Sequence, residues 1–369
     1  MALQFIDGFD HYFLTNDVGF TGGAPCMAQK WDSGLLNGSI HPDITKGRFA
    51  LGALTMEATG GQGHIQKNTT TDRDEMVVGF AFLPHATRTD VTRIHFRLDD
   101  GTNVKMELNM ATRIASAIVN DVTTVASSSA VLNAGVWNYL EFKVKIHSSL
   151  GTVEIRQSGV NIASATGLNT GTTGVLINGL RLEANDNAQA DFIDDLYWLD
   201  ITGSDNTDFL GDVRVDVLYP NANGNNNDFT LFDDGTQNYS PITVNFDAVR
   251  NEADFTLGRD HNYVESGLIG ASEDYDNHSL ADIGVTPSTI FGVQVVNNTK
   301  KTDTGVLRYK DEMVIAGTPF DNGSEVTATA GDYSMSRFIR DTDPSDDAAW
   351  TESKVAAVGS GFTITFREV

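Results

Sequence analysis

The sequence has 369 residues, enough for two domains that each bury a core of their own. It has 25 Lys and Arg residues against 50 Asp and Glu residues, and the resulting net charge of −25 argues against nucleic acid and anionic membranes as partners. Its one cysteine, Cys26, excludes an intrachain disulfide and indicates a protein made in a reducing cytoplasm.

The N-terminal sequence MALQFIDGFDHYFL predicts a strand and not a secretion signal. It has no basic segment followed by an apolar run and no small-residue cleavage site. No window approaches the roughly 20 apolar residues that cross a bilayer. Residues 3–14 alternate around Phe5, Phe9 and Phe13, which predicts the first strand of a sandwich.

Four further strands are predicted before residue 111. They cover residues 48–53, 76–83, 93–99 and 104–110. The step Asp99-Asp100-Gly101 separates the last two, and an Asp-Gly pair between alternating segments is a hairpin signal. No helix longer than two turns is expected before residue 200.

The stretch from Trp137 to Leu199 is the strongest fold signal. Its segments WNYLEFKVKI, GTVEIRQSGVNIASATGL, TTGVLINGLRLEAND and ADFIDDLYWLD alternate apolar and polar residues, with Gly or Asn-Asp clusters between them. A polar turn at Gln157-Ser158-Gly159 predicts a hairpin within the second segment. The sequence therefore predicts an all-β fold built of β-sandwiches. The order of these parts resembles the concanavalin A-like, laminin-G type jelly roll, which implies that fold for the N-terminal domain.

A second β-sandwich domain is predicted after the small, polar segment GSDNTD. We expect domains at 1–203 and 208–369, with strands in the second at 291–297, 313–316 and 362–366. A short helix is predicted near 352–358, because Thr351 can cap it, Glu352 suits its positive start and Gly359 can end it. Trp350 is expected to pack on Val355 as a hydrophobic staple.

Three segments of the second domain carry a resemblance to a known class. FLGDVRVDVLYPNANG at 209–224, FGVQVVNNTKKTDTG at 291–305 and DTDPSDDAAWTESKVAAVGSGFTI at 341–364 resemble a domain that recurs in structural proteins of tailed bacteriophages. In such proteins a laminin-G-like sandwich precedes this domain. The resemblance implies a virion component of the tail or capsid exterior, assembled in the host cytoplasm beside other virion proteins. The absence of a predicted signal peptide agrees with it.

Catalytic patterns are not found. Glycosidases on the concanavalin A-like fold place two carboxylates on one face of a strand, and neither E-x-D-x-E nor E-x-D-x-x-E occurs. There is also no G-x-S-x-G, H-E-x-x-H, P-loop or dinucleotide fingerprint. The sequence predicts a non-enzymatic protein without a cofactor.

Asp194 is the one carboxylate with an unusual predicted environment. If Leu196 and Trp198 face the core, the period of two puts Asp194 on the buried side and Asp195 on the solvent side. A buried carboxylate needs partners. Two alternatives remain: it accepts bonds from backbone N–H groups of a neighbouring loop, or it ligates Ca²⁺ with backbone carbonyls and with Asp7 or Asp10.

The sequence leaves more than one function open. The first is a virion structural protein that docks on the particle and presents a rigid surface, and we expect it to be a homo-oligomer. The alternative is a glycan-binding adhesin of a tail fibre or capsid appendage, and the third is a glycosidase. For glycan binding, the Asn-rich segment 221–228 and Tyr219 are candidate contacts, while a simple polar loop is the other interpretation.

Overall fold

The computed structural model divides the chain into two compact units, Met1–Val215 and Asp216–Val369. The residues that it describes are 2–10, 27, 30–35, 40–43, 45–49, 52–58, 61–185, 187–218, 220–227, 230–233, 262–265, 274–280, 286–299, 307–321, 325–328, 334–358 and 362–368. Cys26, Tyr219 and Gly359 lie outside these residues.

The first unit consists of antiparallel strands. They are β1 (Leu3–Asp7), β2 (Ser33–Leu35), β3 (Ile40–Asp43), β4 (Ala53–Ala58), β5 (Gly63–Arg73), β6 (Glu75–Leu83), β7 (Val91–Leu98), β8 (Asn103–Asn109), β9 (Ile114–Val119), β10 (Thr123–Ser127), β11 (Asn138–Lys145), β12 (Gly151–Gln157), β13 (Val160–Leu168), β14 (Ile177–Ala184) and β15 (Asn187–Asp200).

Two sheets form this unit. An eight-stranded sheet has the order β13-β12-β11-β6-β15-β4-β3, with β1 also paired to β15, and a seven-stranded sheet has the order β10-β9-β8-β7-β14-β5-β2. Buried apolar side chains from both sheets make one continuous core, in which the rings of Phe96 and Phe142 stack at 5.6 Å. The predicted all-β sandwich is confirmed.

Two predicted hairpins are present. Ser158 and Gly159 join β12 to β13 with φ values of 47° and 79°, the pair of positive angles that a type I′ turn requires. Gly101, with φ 86°, closes the turn between β7 and β8. The pairing of β1 with β15 also brings the first strand of this unit beside its last.

One predicted strand is misplaced. The sequence predicted a strand at 48–53, whereas the strand is β4 at Ala53–Ala58. Five of the six β4 residues are buried, because β4 lies inside the sheet between β3 and β15. A strand that is buried on both faces lacks the alternation on which the prediction relied.

The chain from 204 to 215, here called the strap, lies along the outer face of the eight-stranded sheet. Leu210 N donates to Tyr197 Oη at 3.1 Å, Gly211 N donates to Glu141 Oε1 at 2.8 Å, and Val215 N donates to Asp195 Oδ1 at 2.8 Å. These bonds hold the strap in the first unit. The boundary between the units therefore follows Val215, about ten residues beyond the polar segment at which it was predicted.

The second unit is also antiparallel. Its strands are β16 (Pro220–Asn227), β17 (Thr230–Asp233), β18 (Asn262–Glu265), β19 (Asp274–Leu280), β20 (Val293–Thr299), β21 (Leu307–Ile315), β22 (Thr318–Asp321), β23 (Val326–Ala328), β24 (Ser334–Arg340), β25 (Thr342–Asp343), β26 (Ala348–Ala349) and β27 (Phe362–Glu368). A six-stranded sheet has the order β16-β19-β27-β21-β22, with β23 on β21, and β20 pairs with β24. The predicted Asn-rich loop is instead strand β16, whose pairing with β19 is interrupted by irregularities.

The predicted helix is present as α1 (Glu352–Val358). Lys354 N donates to Thr351 Oγ1 at 3.3 Å, so Thr351 caps the helix as expected. Trp350 and Val355 belong to the same buried cluster, together with Met313 and Phe338. No helix in the described part of the chain is both long and apolar enough to span a membrane.

Candidate functional site

The outer face of the seven-stranded sheet is covered with polar side chains. Successive side chains of a strand point to opposite faces, and Ile94, Phe96, Leu180 and Leu182 all enter the core. The residues between them therefore point outward. This polar face consists of His64, Gln66 and Asn68 on β5, Arg93, His95 and Arg97 on β7, Lys105 and Glu107 on β8, and Arg181 and Glu183 on β14.

Strand register aligns these residues in rows. Arg181 lies opposite Gln66 on one side and His95 on the other, and His95 lies opposite Lys105. The next row contains His64, Glu183, Arg93 and Glu107.

Glu183 is the centre of an ion-pair network. Its Oε1 accepts from Arg93 Nη1 at 3.1 Å, and its Oε2 accepts from Arg181 Nη2. Arg93 also donates from Nε to Glu107 Oε2 at 2.9 Å. The Glu183 side chain is only 6% exposed, so this network is held rigidly at the floor of the polar face.

His95 is buried on this face without a hydrogen bond. Neither ring nitrogen has a partner among the described residues, although the side chain is only 6% exposed. Burial, together with the positive charges of Arg181 and Lys105, lowers the pKa of His95 to about 3. Burial also lowers the pKa of His64, whose Nδ1 lacks a partner too. Both imidazoles are therefore neutral at physiological pH.

The polar face is locally cationic in a strongly acidic chain. Arg93, Arg97, Arg181 and Lys105 contribute four positive charges, and the carboxylates paired with them are Glu107, Glu183 and Asp121. Lys105 Nζ pairs with Asp121 Oδ1 at 3.1 Å. Because the two histidines are neutral, the described charges of this face sum to about one positive charge, against −25 for the whole chain.

The outer face of the other sheet is arranged differently. The strap covers part of it, with Phe209 under the guanidinium of Arg156 at 4.0 Å from ring centroid to Cζ. Tyr197 Oη donates to Glu141 Oε1 at 2.5 Å beneath the strap. That face is thus closed by the protein's own chain at this place.

The three residues predicted to hold Ca²⁺ are engaged by protein donors. Asp7 accepts from Trp31 Nε1 and Phe9 N, each at 3.0 Å, and pairs with Lys30 Nζ at 3.1 Å. Asp10 Oδ1 accepts from Gly52 N at 2.6 Å. Among the described residues, no group of three or more His, Cys, Asp or Glu side chains is arranged to hold a metal ion.

Asp194 accepts hydrogen bonds from backbone N–H groups, which is the first of the two alternatives given in the sequence analysis. Its Oδ2 accepts from Arg48 N and its Oδ1 accepts from Asp195 N, both at 2.7 Å. Burial raises the pKa of Asp194 to about 8, and the adjacent carboxylate of Asp195 acts in the same direction. The structure thus shows a buried carboxylate that accepts backbone N–H groups.

The prediction that Asp195 faces solvent is wrong. Its side chain is 2% exposed, and burial raises its pKa to about 7. The pairing of β15 with β6 shifts between Asp194 and Tyr197, and Asp195 has a φ of 51°. This bulge breaks the period of two, so the strand buries two consecutive carboxylates.

Sequence reasoning missed the polar face. Strands are predicted over RIHFRL and GLRLEAN, but the sequence alone does not show that their outward residues lie beside those of HIQKN on one sheet face. The available signal was the alternation of Arg, His and Gln with apolar residues in a chain that is otherwise rich in carboxylates.

Comparisons with known proteins add the following. No protein-family model and no curated protein sequence matches this chain. An endo-beta-1,4-glucuronan lyase from the fungus Trichoderma reesei is 14% identical, with a TM-score of 0.35 over 46% of this chain and 90% of that chain. The alginate lyase vAL-1 from Chlorella virus is 8% identical, with a TM-score of 0.34 over 47% of this chain and 93% of that chain. A carbohydrate-binding module from Bacillus subtilis is 8% identical, with a TM-score of 0.31 over 44% of this chain and 94% of that chain. At these identities and TM-scores, nothing about activity passes from those proteins to this chain.

Proposed function

We propose that this protein is a non-enzymatic carbohydrate-binding protein whose ligand lies on the polar face of the seven-stranded sheet. The observation that carries the proposal is the array of Gln66, Arg93, His95 and Arg181 in adjacent rows on one sheet face. Sugar hydroxyls both donate and accept hydrogen bonds, and amide, imidazole and guanidinium groups provide planar partners for them.

Rigidity supports the same proposal. The strands fix the backbone of each row, and Glu183 fixes the two arginines that flank it. A ligand that meets prearranged side chains loses less affinity to the ordering of the site. The amides of Gln66 and Asn68 supply further hydrogen-bonding groups on this face.

The proposal is tested on a glycan array with the purified full chain. The double variant Gln66→Ala with Asn68→Ala removes two amides from the polar face. The matched control, Asn161→Ala with Ser164→Ala, removes two exposed polar side chains from strand β13 of the other sheet. We expect the first variant to lose the binding that the wild type and the control retain. Wild-type binding to no glycan on the array, or equal binding by all three proteins, contradicts the proposal.

The location of the protein, on the exterior of a virion, is proposed from its sequence. The resemblance of 209–224, 291–305 and 341–364 to tailed-phage structural proteins supports display on the exterior of a virion, as an adhesin assembled with other virion proteins. Antibodies against the purified chain should then label intact phage particles in electron micrographs. Particles that contain the chain but bind no antibody contradict an exterior position.

A further inference from the structure

Arg97 differs from the other cations of the polar face. Arg93, Arg181 and Lys105 are each paired with a carboxylate of the chain. Arg97 has no carboxylate within ion-pair distance among the described residues, and its Nη1 donates to Asn68 Oδ1 at 3.3 Å. The positive charge of the face is therefore uncompensated at this position.

The amide of Asn68 lies beside Arg97 and offers a further donor. Because Asn68 Oδ1 accepts from Arg97, the amide NH₂ of Asn68 is left to donate, and it has no hydrogen bond to the described residues. Nε and Nη2 of Arg97, the edge that binds carboxylates in a bidentate manner, are likewise without a bond in that part of the chain. The nearby carboxylate of Asp32 is already engaged by Lys67 Nζ and Asn68 N.

Gly179 makes room for this arrangement. It lies between Asn68 and Arg97 in the register of the sheet. A Cβ at this position would lie 3.2 Å from Arg97 Nη1 and 3.6 Å from Asn68 Oδ1. The absence of a side chain at Gly179 thus lets Arg97 and Asn68 meet across β14.

On the basis of the proposed function, we propose that Arg97 and Asn68 form a subsite for the carboxylate of an acidic sugar, so that the ligand is a uronate-containing glycan. A planar carboxylate accepts two parallel bonds from the Nε and Nη2 edge of Arg97, and the amide of Asn68, which lies on the Nη1 side, donates to another oxygen of the sugar. Arg181 in the neighbouring row and Arg93 in the row beyond it then contact uncharged hydroxyls, because Glu183 and Glu107 already neutralise them.

The probes are hexamers of β-1,4-linked glucuronate and of galacturonate, each compared with its carboxyl-reduced form, which differs only in bearing a neutral hydroxymethyl group. A sulfated neutral hexamer distinguishes a sulfate ester from a carboxylate as the anion. Titration calorimetry with the full chain gives Kd for each probe.

Three variants locate the contact. Arg97→Gln removes the charge, and Arg97→Lys keeps the charge but loses the bidentate edge. Arg308→Gln in the second unit makes the same change of charge at an exposed arginine, as the control. Melting curves of the variants are compared with that of the wild type, and a surface arginine with one amide partner should leave them nearly unchanged.

We expect the wild type to bind at least one uronate hexamer more tightly than its reduced form. Arg97→Gln should raise the Kd for that hexamer about tenfold to hundredfold, the loss typical of hydrogen bonds to a charged group, and Arg97→Lys should raise it less. Neither change should alter the Kd for the reduced form, and Arg308→Gln should match the wild type.

The outcomes separate this subsite from the proposed function. Equal affinity for a uronate hexamer and its reduced form, unaffected by Arg97→Gln, contradicts the subsite and leaves glycan binding in place. Preference for the sulfated hexamer also contradicts it. Binding to no hexamer and to no glycan on the array contradicts both proposals.

Discussion

Nε2 of His95 lies 3.6 Å from Oε2 of Glu183, too far for a hydrogen bond. The same carboxylate oxygen accepts from Arg181, and neither nitrogen of the imidazole has a partner in the part of the chain that the structure describes. A buried polar group without a partner costs stability. The imidazole of His95 lies on the face that we propose for ligand binding, and groups that lower stability are expected to concentrate at such sites.

His95→Leu should therefore stabilise the protein. The variant removes two unsatisfied nitrogens and keeps an apolar side chain of similar volume, so the free energy of unfolding should rise by about 1 kcal/mol. Urea denaturation near neutral pH measures it. The matched control is His147→Leu, which should destabilise because His147 Nδ1 accepts from Ser149 N and Leu150 N. A destabilised His95→Leu shows that the imidazole has partners in solution.

The difference in stability between His95→Leu and the wild type should depend on pH. The pKa of His95 is lowered to about 3 in the folded protein, so its contribution to stability is present above the ordinary histidine pKa of 6.5 and is lost as the pH falls from there towards 3. The advantage of His95→Leu over the wild type should therefore grow between about pH 6.5 and about pH 5. A constant difference across that range contradicts a buried, neutral His95.

Asp195→Ala should destabilise the protein by about 2–4 kcal/mol. The substitution leaves Val215 N without its acceptor and Arg48 without the partner that lies 3.3 Å from its Nη1. Chemical denaturation measures the change, and Asp205→Ala, at an exposed carboxylate beside Ser204, is the control that should have little effect. Equal behaviour of the two variants contradicts the bulge that buries Asp195.

Alkaline pH should also destabilise the protein. The folded-state pKa values of Asp194 and Asp195 are raised to about 8 and about 7, so their contribution is fully present below the unfolded pKa of 3.8 and is lost as the pH rises through the folded values. Between about pH 6.5 and about pH 8.5, the free energy of unfolding should fall by about 1–3 kcal/mol. A flat profile over this window shows that both carboxylates are ionised throughout.

Removal of the strap should weaken the first unit. A chain that ends at residue 203 loses the partners that Leu210 N, Gly211 N and Val215 N provide. It should be less stable than a chain that ends at residue 215 by about 3 kcal/mol, roughly 1 kcal/mol for each bond. A chain that ends at residue 218 should match the 1–215 chain. Equal melting temperatures for 1–203 and 1–215 place the boundary where the sequence predicted it.

The sequence predicted correctly those features that depend on residues close together in the chain. The hairpin at Ser158-Gly159 and the helix capped by Thr351 depend on residues adjacent in the chain, and both were predicted. Asp195 was wrongly placed because a bulge in β15 is set by its pairing with β6, which the sequence does not reveal. The strap was missed for a similar reason, since its acceptors lie on strands far away in sequence.

The candidate site required strand order. His64, Arg93 and Glu183 are separated by many residues in sequence, and each one alone reads as the outward position of an ordinary strand. They lie in one row only because β14 pairs with both β5 and β7. The sequence therefore predicted the sandwich but not the face that distinguishes this protein.

The central claim is that a glycan binds across β5, β7 and β14. A crystal structure of the full chain with a bound oligosaccharide, chosen from the array, tests it most directly. Our account predicts sugar atoms within hydrogen-bonding distance of Gln66, Asn68 and Arg97. An oligosaccharide bound elsewhere, with the polar face in contact only with solvent, contradicts it.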